Sequence, residues 1–439
     1  MNKKNIFKLT LLLALPIIAT SCRFEDEDFF DESASLRVEN TTKTLKDILV
    51  KPENGWVMQY FCGTGVAHFE GFNLFAKFDA SMKVTIAGDH RLLRDGNAGK
   101  YIESTSLYSL LLEDGPVLAF NTWNDVLTPF VDPVDPWKAP SSLVKDGAGM
   151  QGDNNFVIMS YTDNEVILRG ERYSGEVRLV ASDRSWKDYI TACNDMKKKI
   201  TSPSIVSYYI TDGSDTLYLT GISKGRVRMA ERLNNPLRND SLACVFTPNG
   251  IRFEKSDTVG SQAFQEFNIA ADRLMTSDKK VSIIPCWDVY MAEHTDIWKM
   301  DKSLFNAKQN ELFTSIAAEL KKFNANYTLN NICIGTSTGI HGLVLNFFTD
   351  AAKSKTNQAT FAIASTRTGY GIVQIALPQI ESYDTNLIKI QGKATNIINL
   401  CRDFVNTIKG KYQVTPNDYF LPTGGTYTAI DGGTTFKLQ

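Results

Sequence analysis

The chain has 439 residues and a formal net charge of −2. It therefore carries no overall basic field of the kind that attracts nucleic acid, and no nucleic-acid partner is expected. Hydrophobic residues make up 43% of the chain and charged residues 22%, which is typical of a globular protein, and the length predicts two or three domains. The 25 phenylalanines and 16 tyrosines favour β-sheets and stacking surfaces.

The N-terminus has the pattern of a secretory signal that ends in a lipobox. Three lysines precede an apolar run at 9–18, and small residues then lead into Cys22. The run is too short to span a bilayer, which argues against a permanent transmembrane helix. We expect residues 1–21 to be a signal peptide and Cys22 to be the lipidated first residue of the mature protein.

Six acidic residues lie at 25–32, just after Cys22 in the segment 22–40, with Phe29 and Phe30 among them. One interpretation is a disordered tether, since clustered like charges repel one another and bury no apolar surface. The other is an export signal. An acidic patch in this position resembles the receptor-read address that sends Bacteroidetes-type lipoproteins to the outer face of the outer membrane. We expect a lipid-anchored outer-membrane protein that is exposed at the cell surface.

Six further cysteines remain, an even number that allows disulfides in an exported chain. Their spacings are wide, no CxxC pair occurs, and several lie in apolar contexts such as that of Cys333. Cysteine is often buried even when it is unpaired, and a large domain does not need covalent staples, so buried thiols are favoured. The four histidines give no zinc site that is readable from spacing.

The segment 41–295 is predicted to be antiparallel and β-rich, and to begin with a short helix at 41–50. Turn signals separate short strands at four places: Asp114-Gly115, Asp163-Asn164, Asp212-Gly213 and Asn249-Gly250. Regular short strands of this kind favour a barrel or a sandwich. Helical spacing predicts a helix at 186–199. We expect a lipocalin-like or clam-like β domain with this helix packed on it, and two subdomains, 41–200 and 201–295, are the alternative.

The C-terminal part, 296–439, has a different pattern. An apolar stripe at 312–323, and a second one whose members recur every three or four residues over 390–408, predict two amphipathic helices. Strands are predicted between these helices at 331–335, 342–348, 359–365 and 371–377. We therefore expect a C-terminal α+β domain in which two amphipathic helices cover one face of an antiparallel sheet.

Residues 335–339 match the G-x-S-x-G pattern of a nucleophile elbow. An elbow turns from a strand into a helix, whereas the following residues 343–348 are β-like, and His341 is the only histidine after Ser337. We interpret the motif as a hairpin loop and predict no catalytic residue. His294 lacks the HExxH pattern and is interpreted as a linker histidine.

The most unusual loop spans 132–153, is rich in glycine and proline, and contains four aspartates. Long loops on β scaffolds often bind ligands. Aspartate oxygens suit Ca²⁺, the only candidate cofactor, although the spacing matches no EF-hand, and a tryptophan can stack on a sugar ring. We name Trp123, Asp132, Asp135 and Trp137 as candidate ligand-binding residues. The alternative is an Ω-like loop held by Asx-turns and prolines.

Several stretches together resemble a Bacteroidetes-type family of surface lipoproteins of unknown function. They are Cys22 with its acidic neighbours, 53–60, 110–120 and 166–170. The resemblance spans most of the chain and is strongest over 22–180. The family has no assigned catalytic residues, so only the lipidated cysteine carries over. Its members accompany SusC/SusD-like nutrient-uptake systems, which implies an accessory role in capture at the cell surface.

We therefore expect a non-enzymatic accessory protein that binds a glycan, peptide or other nutrient for an outer-membrane transporter. Two alternatives remain. A structural subunit of the uptake complex would bind only protein and would expose an apolar patch. A hydrolase would use carboxylates or a hidden nucleophile and would show turnover. The binding protein predicts an exposed aromatic platform near Trp123 and Trp137.

Overall fold

The computed structural model describes five stretches of the chain: 34–63, 69–112, 115–132, 150–230 and 241–439. Within them, the strands form four antiparallel sheets, two of which are closed barrels of eight strands. The predicted β-rich, antiparallel character is therefore confirmed. In the described part of the chain, no helix is both long enough and apolar enough to cross a bilayer.

Helix α1 (Ala34–Val50) precedes the first barrel. It begins inside the segment expected to be a tether, because the run of acidic residues ends at Glu32 and charge repulsion no longer opposes a helix beyond it. Eight strands then follow in sequence order: β1 (Trp56–Tyr60), β2 (Phe72–Phe78), β3 (Lys83–Gly88), β4 (Ile102–Leu112), β5 (Pro116–Phe120), β6 (Asn155–Tyr161), β7 (Glu165–Gly170) and β8 (Glu176–Ala181). The barrel closes where β8 pairs with β1, and the short helix α2 (Thr128–Val131) lies between β5 and β6.

Alternate residues of these strands point inward and fill the first barrel with apolar side chains, many of them aromatic, such as Trp56 and Phe156. Leu45 and Leu49 of α1 belong to the same core. The Trp56 indole N–H donates to the Leu49 carbonyl at 2.8 Å, which fixes the helix on the barrel. Because side chains fill the lumen, as they do in small closed barrels, a ligand of this barrel must bind outside it.

The second barrel also has eight strands: β9 (Ser207–Thr211), β10 (Thr216–Thr220), β11 (Arg226–Ala230), β12 (Ser241–Thr247), β13 (Gly250–Val259), β14 (Gln262–Ile269), β15 (Leu274–Met275) and β16 (Ser282–Pro285). It closes where β16 pairs with β9. A 3-10 turn, Ile222–Lys224, joins β10 to β11. The interior is again filled, for example by Leu219, Phe253 and Phe267.

Helix α3 (Trp186–Ile200) lies between the two barrels and confirms the predicted helix. Its N-cap, Ser185, accepts a hydrogen bond from the Asp188 backbone N–H at 3.2 Å. Tyr189 packs edge-on against Phe75 on the outer face of the first barrel, with ring centroids 5.7 Å apart. The helix also contacts β12 and β13 of the second barrel.

The two barrels meet at a seam that is built on close packing. Phe61 of the first barrel forms a small apolar cluster with Ala243 and Val245 of the second. At Gly71 a Cβ atom would collide with the Phe61 ring and lie 2.7 Å from Val245 Cγ1. Glycine is therefore needed for the barrels to approach this closely.

Polar contacts also cross the seam. The Asn73 side-chain amide donates to the Phe246 carbonyl at 2.8 Å. The buried Arg252 guanidinium pairs with Glu176 at 2.7 Å, and Arg178 of the first barrel pairs with a glutamate of the second at 3.1 Å. Together these contacts hold the two barrels in one relative orientation.

Two smaller sheets form the C-terminal part. The four-stranded sheet contains β17 (Trp298–Lys299), β18 (Thr328–Ser337), β19 (Ile340–Phe348) and β20 (Thr356–Ala362). The five-stranded sheet contains β21 (Ala364–Gly369), β22 (Ile372–Ala376), β23 (Gly410–Pro416), β24 (Gly425–Gly432) and β25 (Phe436–Leu438). The helices are α4 (Trp287–Ala292), α5 (Ala307–Phe323), α6 (Thr385–Gln391) and α7 (Ile397–Ile408). The hydrophobic core of the second barrel continues into both sheets as a single cluster.

The structure differs from the prediction at 390–408, where two helices replace the single one expected. The chain leaves the helix at Gly392, and the segment up to Asn396 forms turns held by the Gln391 side chain, which donates to the Thr395 carbonyl at 2.6 Å. Glycine, threonine and asparagine are poor helix formers. The apolar stripe stays buried because the turns keep its residues on the same side. The stretch predicted as one strand at 359–365 is likewise divided, because β20 and β21 belong to different sheets.

Candidate functional site

The predicted ligand-binding residues fall into two groups. Cys22, Asp135 and Trp137 lie outside the described residues. Trp123 and Asp132 lie within them, and the structure brings them together on the outside of the first barrel.

Arg94 connects these two residues. Its guanidinium lies 5.1 Å from the centroid of the Trp123 ring, and it donates to the Asp132 carboxylate at 2.7 Å. The indole N–H of Trp123 donates to Asp125 at 2.8 Å, which fixes the ring, and the side chain is 53% exposed. A cavity of about 170 Å³ lies beside it. The site therefore offers one held aromatic ring with a cation on one face.

The aspartates of the 132–153 loop that the structure describes are engaged with protein groups. The Asp132 carboxylate is neutralised by Arg94. The Asp153 carboxylate accepts backbone N–H bonds from Arg172 at 2.9 Å and Tyr173 at 3.1 Å, so it anchors the turn after β7. Among the described residues, no group of three or more His, Cys, Asp or Glu side chains could hold a metal ion. Calcium binding stays a prediction.

The G-x-S-x-G motif lies at a hairpin, as the sequence predicts. Ser337 ends β18 and pairs with Ile340 of β19, and Thr338 and Gly339 form the turn with φ angles of 52° and 80°. The Ser337 hydroxyl donates to the Gln358 side chain at 3.0 Å rather than to a histidine. The geometry of a nucleophile elbow is absent at this serine.

His294 lies in the connection between α4 and β17, as the interpretation as a linker histidine has it, and its ring is buried. It stacks on Trp298 with centroids 3.8 Å apart, and its Nδ1 lies 2.7 Å from the Asp296 carbonyl. Burial lowers the pKa of His294 to about 4. The ring is therefore neutral at physiological pH and acts as part of the core.

The six cysteines from Cys62 to Cys401 are all unpaired and buried, which confirms the interpretation as buried thiols. Burial raises the pKa of Cys193 and of Cys244 to about 12. Thiols with such a pKa stay protonated near neutral pH and are poor nucleophiles and metal ligands.

A groove runs along the seam between the barrels. It consists of a cavity of about 700 Å³ and a second one of about 290 Å³, and Glu70, Arg91 and Lys224 line both. We call these joined cavities the inter-barrel groove. Their combined size lies in the range of small-molecule sites in proteins.

The 3-10 turn between β10 and β11 shapes the middle of this groove. Gly221 and Gly225 flank it in the left-handed region, with φ angles of 85° and 66°. A Cβ at Gly225 would lie 2.8 Å from Glu70 Cβ, so the turn packs directly on the first barrel. This contact places Lys224 where the two cavities meet.

The groove is rich in positive charge although the whole chain is slightly acidic. Its cations are Arg91, Lys197, Lys224, Arg226 and Arg228, and its carboxylates are Glu70 and Asp89. Arg91 forms a bidentate salt bridge with Glu70, with N–O distances of 2.8 and 3.3 Å. Within the part of the chain that the structure describes, Lys197, Lys224 and Arg228 form no ion pair, and all three are exposed.

His90 also lines the groove, but its two ring nitrogens are both engaged. One lies 2.9 Å from the Val126 carbonyl, and the other accepts the Leu92 backbone N–H at 3.2 Å. Burial lowers the pKa of His90 to about 4. The ring is neutral and holds the loop after β3, and it is not placed to exchange a proton with a ligand.

Sequence reasoning missed the groove. Its charged residues come from positions as far apart as Glu70 and Arg228, and they meet only because two barrels pack together. No motif links them. The one local signal is the pair Gly221 and Gly225, which brackets a basic turn.

The fold and the groove define a class of protein with two filled eight-stranded barrels and a cationic cleft between them. The chain belongs to the family described as "Domain of unknown function (DUF4302)", whose model matches residues 26–271. The match extends through β14, so it covers the first barrel and most of the second. No curated protein matches the chain.

Three solved structures show a weak likeness to the chain: two are β subunits of DNA polymerase III, and the third is the β subunit of a DNA polymerase. The Streptococcus pneumoniae TIGR4 protein is 11% identical over 92% of this chain and 96% of its own, with a TM-score of 0.12. The proteins of Pseudomonas aeruginosa and Streptococcus pyogenes have identities of 8% and 12% and TM-scores of 0.13 and 0.11. They cover 90% and 92% of this chain and 94% and 96% of their own. At such TM-scores the likeness carries no argument.

Proposed function

We propose that the chain is a non-enzymatic lipoprotein of the outer-membrane surface, anchored through Cys22, that binds a nutrient in the inter-barrel groove. It acts as an accessory protein of a SusC/SusD-like uptake system. The observation that carries the binding role is the groove itself, with cavities of about 700 and 290 Å³ joined at Lys224. The signal pattern supports the anchor, and the family resemblance supports the uptake context.

The groove is suited to binding because its walls are held in place before a ligand arrives. The glycine contact at Gly71 and the ion pair between Arg252 and Glu176 fix one barrel against the other. A preformed site loses less conformational entropy when it binds. A groove whose walls are fixed in this way is suited to the capture of a ligand.

A thermal-shift screen of the full-length protein in detergent, against glycans and peptides, tests the proposal. A ligand at about 100 times its dissociation constant adds about 2.7 kcal/mol of stability. Thr220→Trp places a large side chain in the groove, and Thr415→Trp is the matched control. Both threonines are exposed strand residues, and Thr415 lies on β23, away from the groove.

We expect the stabilisation to be lost in Thr220→Trp and kept in Thr415→Trp. Equal stabilisation of both variants by the ligand would show that it binds outside the groove. In that case Trp123→Ala combined with Trp137→Ala tests the predicted loop site. A screen without any hit would reject the binding role.

A structural role in the uptake complex is a second candidate, because the outer face of the first barrel exposes apolar side chains. Leu111 of β4 and Val157 of β6 both pair with Val117 of β5, one from each neighbouring strand. Leu111 is 38% exposed and Met159 is 50% exposed. Val117 is buried, so the exposed apolar surface consists of side chains such as those of Leu111 and Met159, and exposed apolar surface is typical of a protein contact.

Leu111→Glu combined with Met159→Glu tests this role in pull-downs from membranes. We expect transporter components to be lost from the variant if this face binds them. Leu304→Glu combined with Ile380→Glu is the control, since both residues are exposed elsewhere on the chain. Retention of the components by both variants would reject this face as the contact.

A further inference from the structure

We infer that the ligand of the inter-barrel groove is an acidic oligosaccharide whose anionic groups are bound by Lys197, Lys224 and Arg228. The inference rests on the proposed function and names its substrate class. It is carried by the placement of these three cations along both cavities, where none of them has a carboxylate partner among the described residues.

The three cations are spread over the length of the groove. Lys197, on α3, lines the smaller cavity, and Arg228, on β11, lines the larger one. Lys224 lines both. A single small anion could contact only part of this set, so the arrangement matches an extended molecule with negative charges at more than one point.

Pairing distinguishes these residues from the other charged groups nearby. Arg91 donates two hydrogen bonds to Glu70, so its charge is already paired within the wall of the groove. Asp89 lines only the smaller cavity, and burial raises the pKa of its carboxyl group. Three cations along one groove, without ion pairs among the described residues, create a positive potential that attracts an anion.

The lining between the cations suits a saccharide. Thr220 and Ser223 are exposed hydroxyl residues that line the larger cavity, and Thr201 and Ser202, whose hydroxyls bond to backbone groups, line it as well. Hydroxyls donate and accept hydrogen bonds, as sugar hydroxyls do. A ligand that carries both hydroxyl and anionic groups therefore matches a lining that contains serine, threonine and basic side chains.

Other polyanions fit the groove less well. Peptides are often held by adding a strand to a sheet edge, and both barrels beside the groove are closed and present no such edge. Single-stranded nucleic acids need exposed aromatic rings on which bases stack. The aromatic residues that line the described groove, Phe69, Phe72, Tyr208 and Phe246, are all buried.

Calorimetric titration of the full-length protein in detergent tests the inference with three probes. Tetragalacturonate is the acidic saccharide, maltotetraose is its neutral counterpart of equal length, and tetraglutamate is an acidic peptide. The variant K197Q/K224Q/R228Q removes the three charges. The control K409Q/K411Q/K437Q removes three exposed charges from the end of α7 and the five-stranded sheet.

We expect tetragalacturonate to bind at least about 10-fold more tightly than either other probe. The groove variant should weaken this binding by at least about 10-fold, and the control by less than about 2-fold. Raising the salt concentration from about 0.05 to about 0.3 M should weaken it in the wild type, because salt screens exposed charges. Unchanged melting temperatures show that both variants are folded.

The other outcomes separate this inference from the proposed function. If maltotetraose binds as tightly, and the groove variant keeps the affinity while Thr220→Trp loses it, the groove binds a ligand but not through charge. If tetraglutamate binds and tetragalacturonate does not, the groove prefers anions, and the inference that its ligand is a saccharide is rejected. If no probe binds but the thermal-shift screen finds another groove ligand, the acidic saccharide is rejected and the proposed function stands.

Discussion

Glu254 lies at the seam between the barrels, where its surroundings disfavour the charged form of its carboxyl group. It lines a cavity of about 240 Å³ together with Phe61, Glu176 and Lys255. Burial raises the pKa of Glu254 to about 7, with Glu176 adding to the rise and Lys255 opposing it. The folded chain therefore binds a proton at this residue at pH values where the unfolded chain has already released it.

The sign of the pH dependence follows from this shift. Between the ordinary value of 4.5 and about 7, the folded state holds more protons, so the free energy of unfolding falls as pH rises. Glu254→Gln removes the charge and should raise stability by about 1–2 kcal/mol near pH 8, and by much less near pH 5. Urea unfolding at the two pH values measures the difference.

Glu311→Gln is the control for this experiment. Its carboxylate is exposed and pairs with Lys308 one helical turn away, an interaction worth a few tenths of a kcal/mol. A gain for Glu254→Gln that is equal at both pH values would contradict the assignment.

The thiols give a second prediction at the residue scale. Six of the seven cysteines are buried and unpaired, so the native protein should react only slowly with a thiol reagent such as DTNB. In denaturant, six thiols should react if Cys22 carries a thioether-linked lipid, and seven if it is free. Fewer than six without reductant would mean that disulfides form.

At the scale of the elements, the seam between the barrels depends on a glycine at the start of β2. Gly71→Ala forces a Cβ against Phe61 and Val245, and both neighbours belong to a packed cluster. We expect a loss of about 1–3 kcal/mol in the free energy of unfolding, as for other overpacked sites. Chemical denaturation measures it. Gly115→Ala, where a Cβ meets open space, should change little, and equal effects would show that the seam is not tightly packed.

Local pattern predicts most of these elements. The turns at Asp212-Gly213 and Asn249-Gly250 lie between paired strands, as expected, because turn chemistry acts over a few residues. The pattern fails at 390–408. Apolar residues at steps of three and four indicate which side of the segment is buried. Turns at Gly392 keep that side buried without a continuous helix.

At the scale of the whole molecule, the second barrel and the C-terminal sheets share one hydrophobic core. Trp287 packs edge-on against Tyr419 with centroids 5.5 Å apart, and the Tyr427 hydroxyl donates to the Met291 carbonyl at 2.8 Å. A chain that ends at residue 295 would expose these surfaces. We therefore expect this fragment to bind the dye ANS and to lack a cooperative unfolding transition. A sharp transition in the fragment would show that the second barrel is stable without the sheets.

The sequence by itself determined the elements that depend on neighbours along the chain, such as the hairpins, helix α3 and the hairpin interpretation of Ser337. Only the tertiary structure decided that β8 closes on β1 and β16 on β9. It also decided that the 3-10 turn before β11 packs on the first barrel. Strand closure and barrel packing join residues that are distant in sequence, and their free energy depends on contacts that no local period encodes. The cationic groove exists only through such contacts, which is why no spacing in the sequence predicted it.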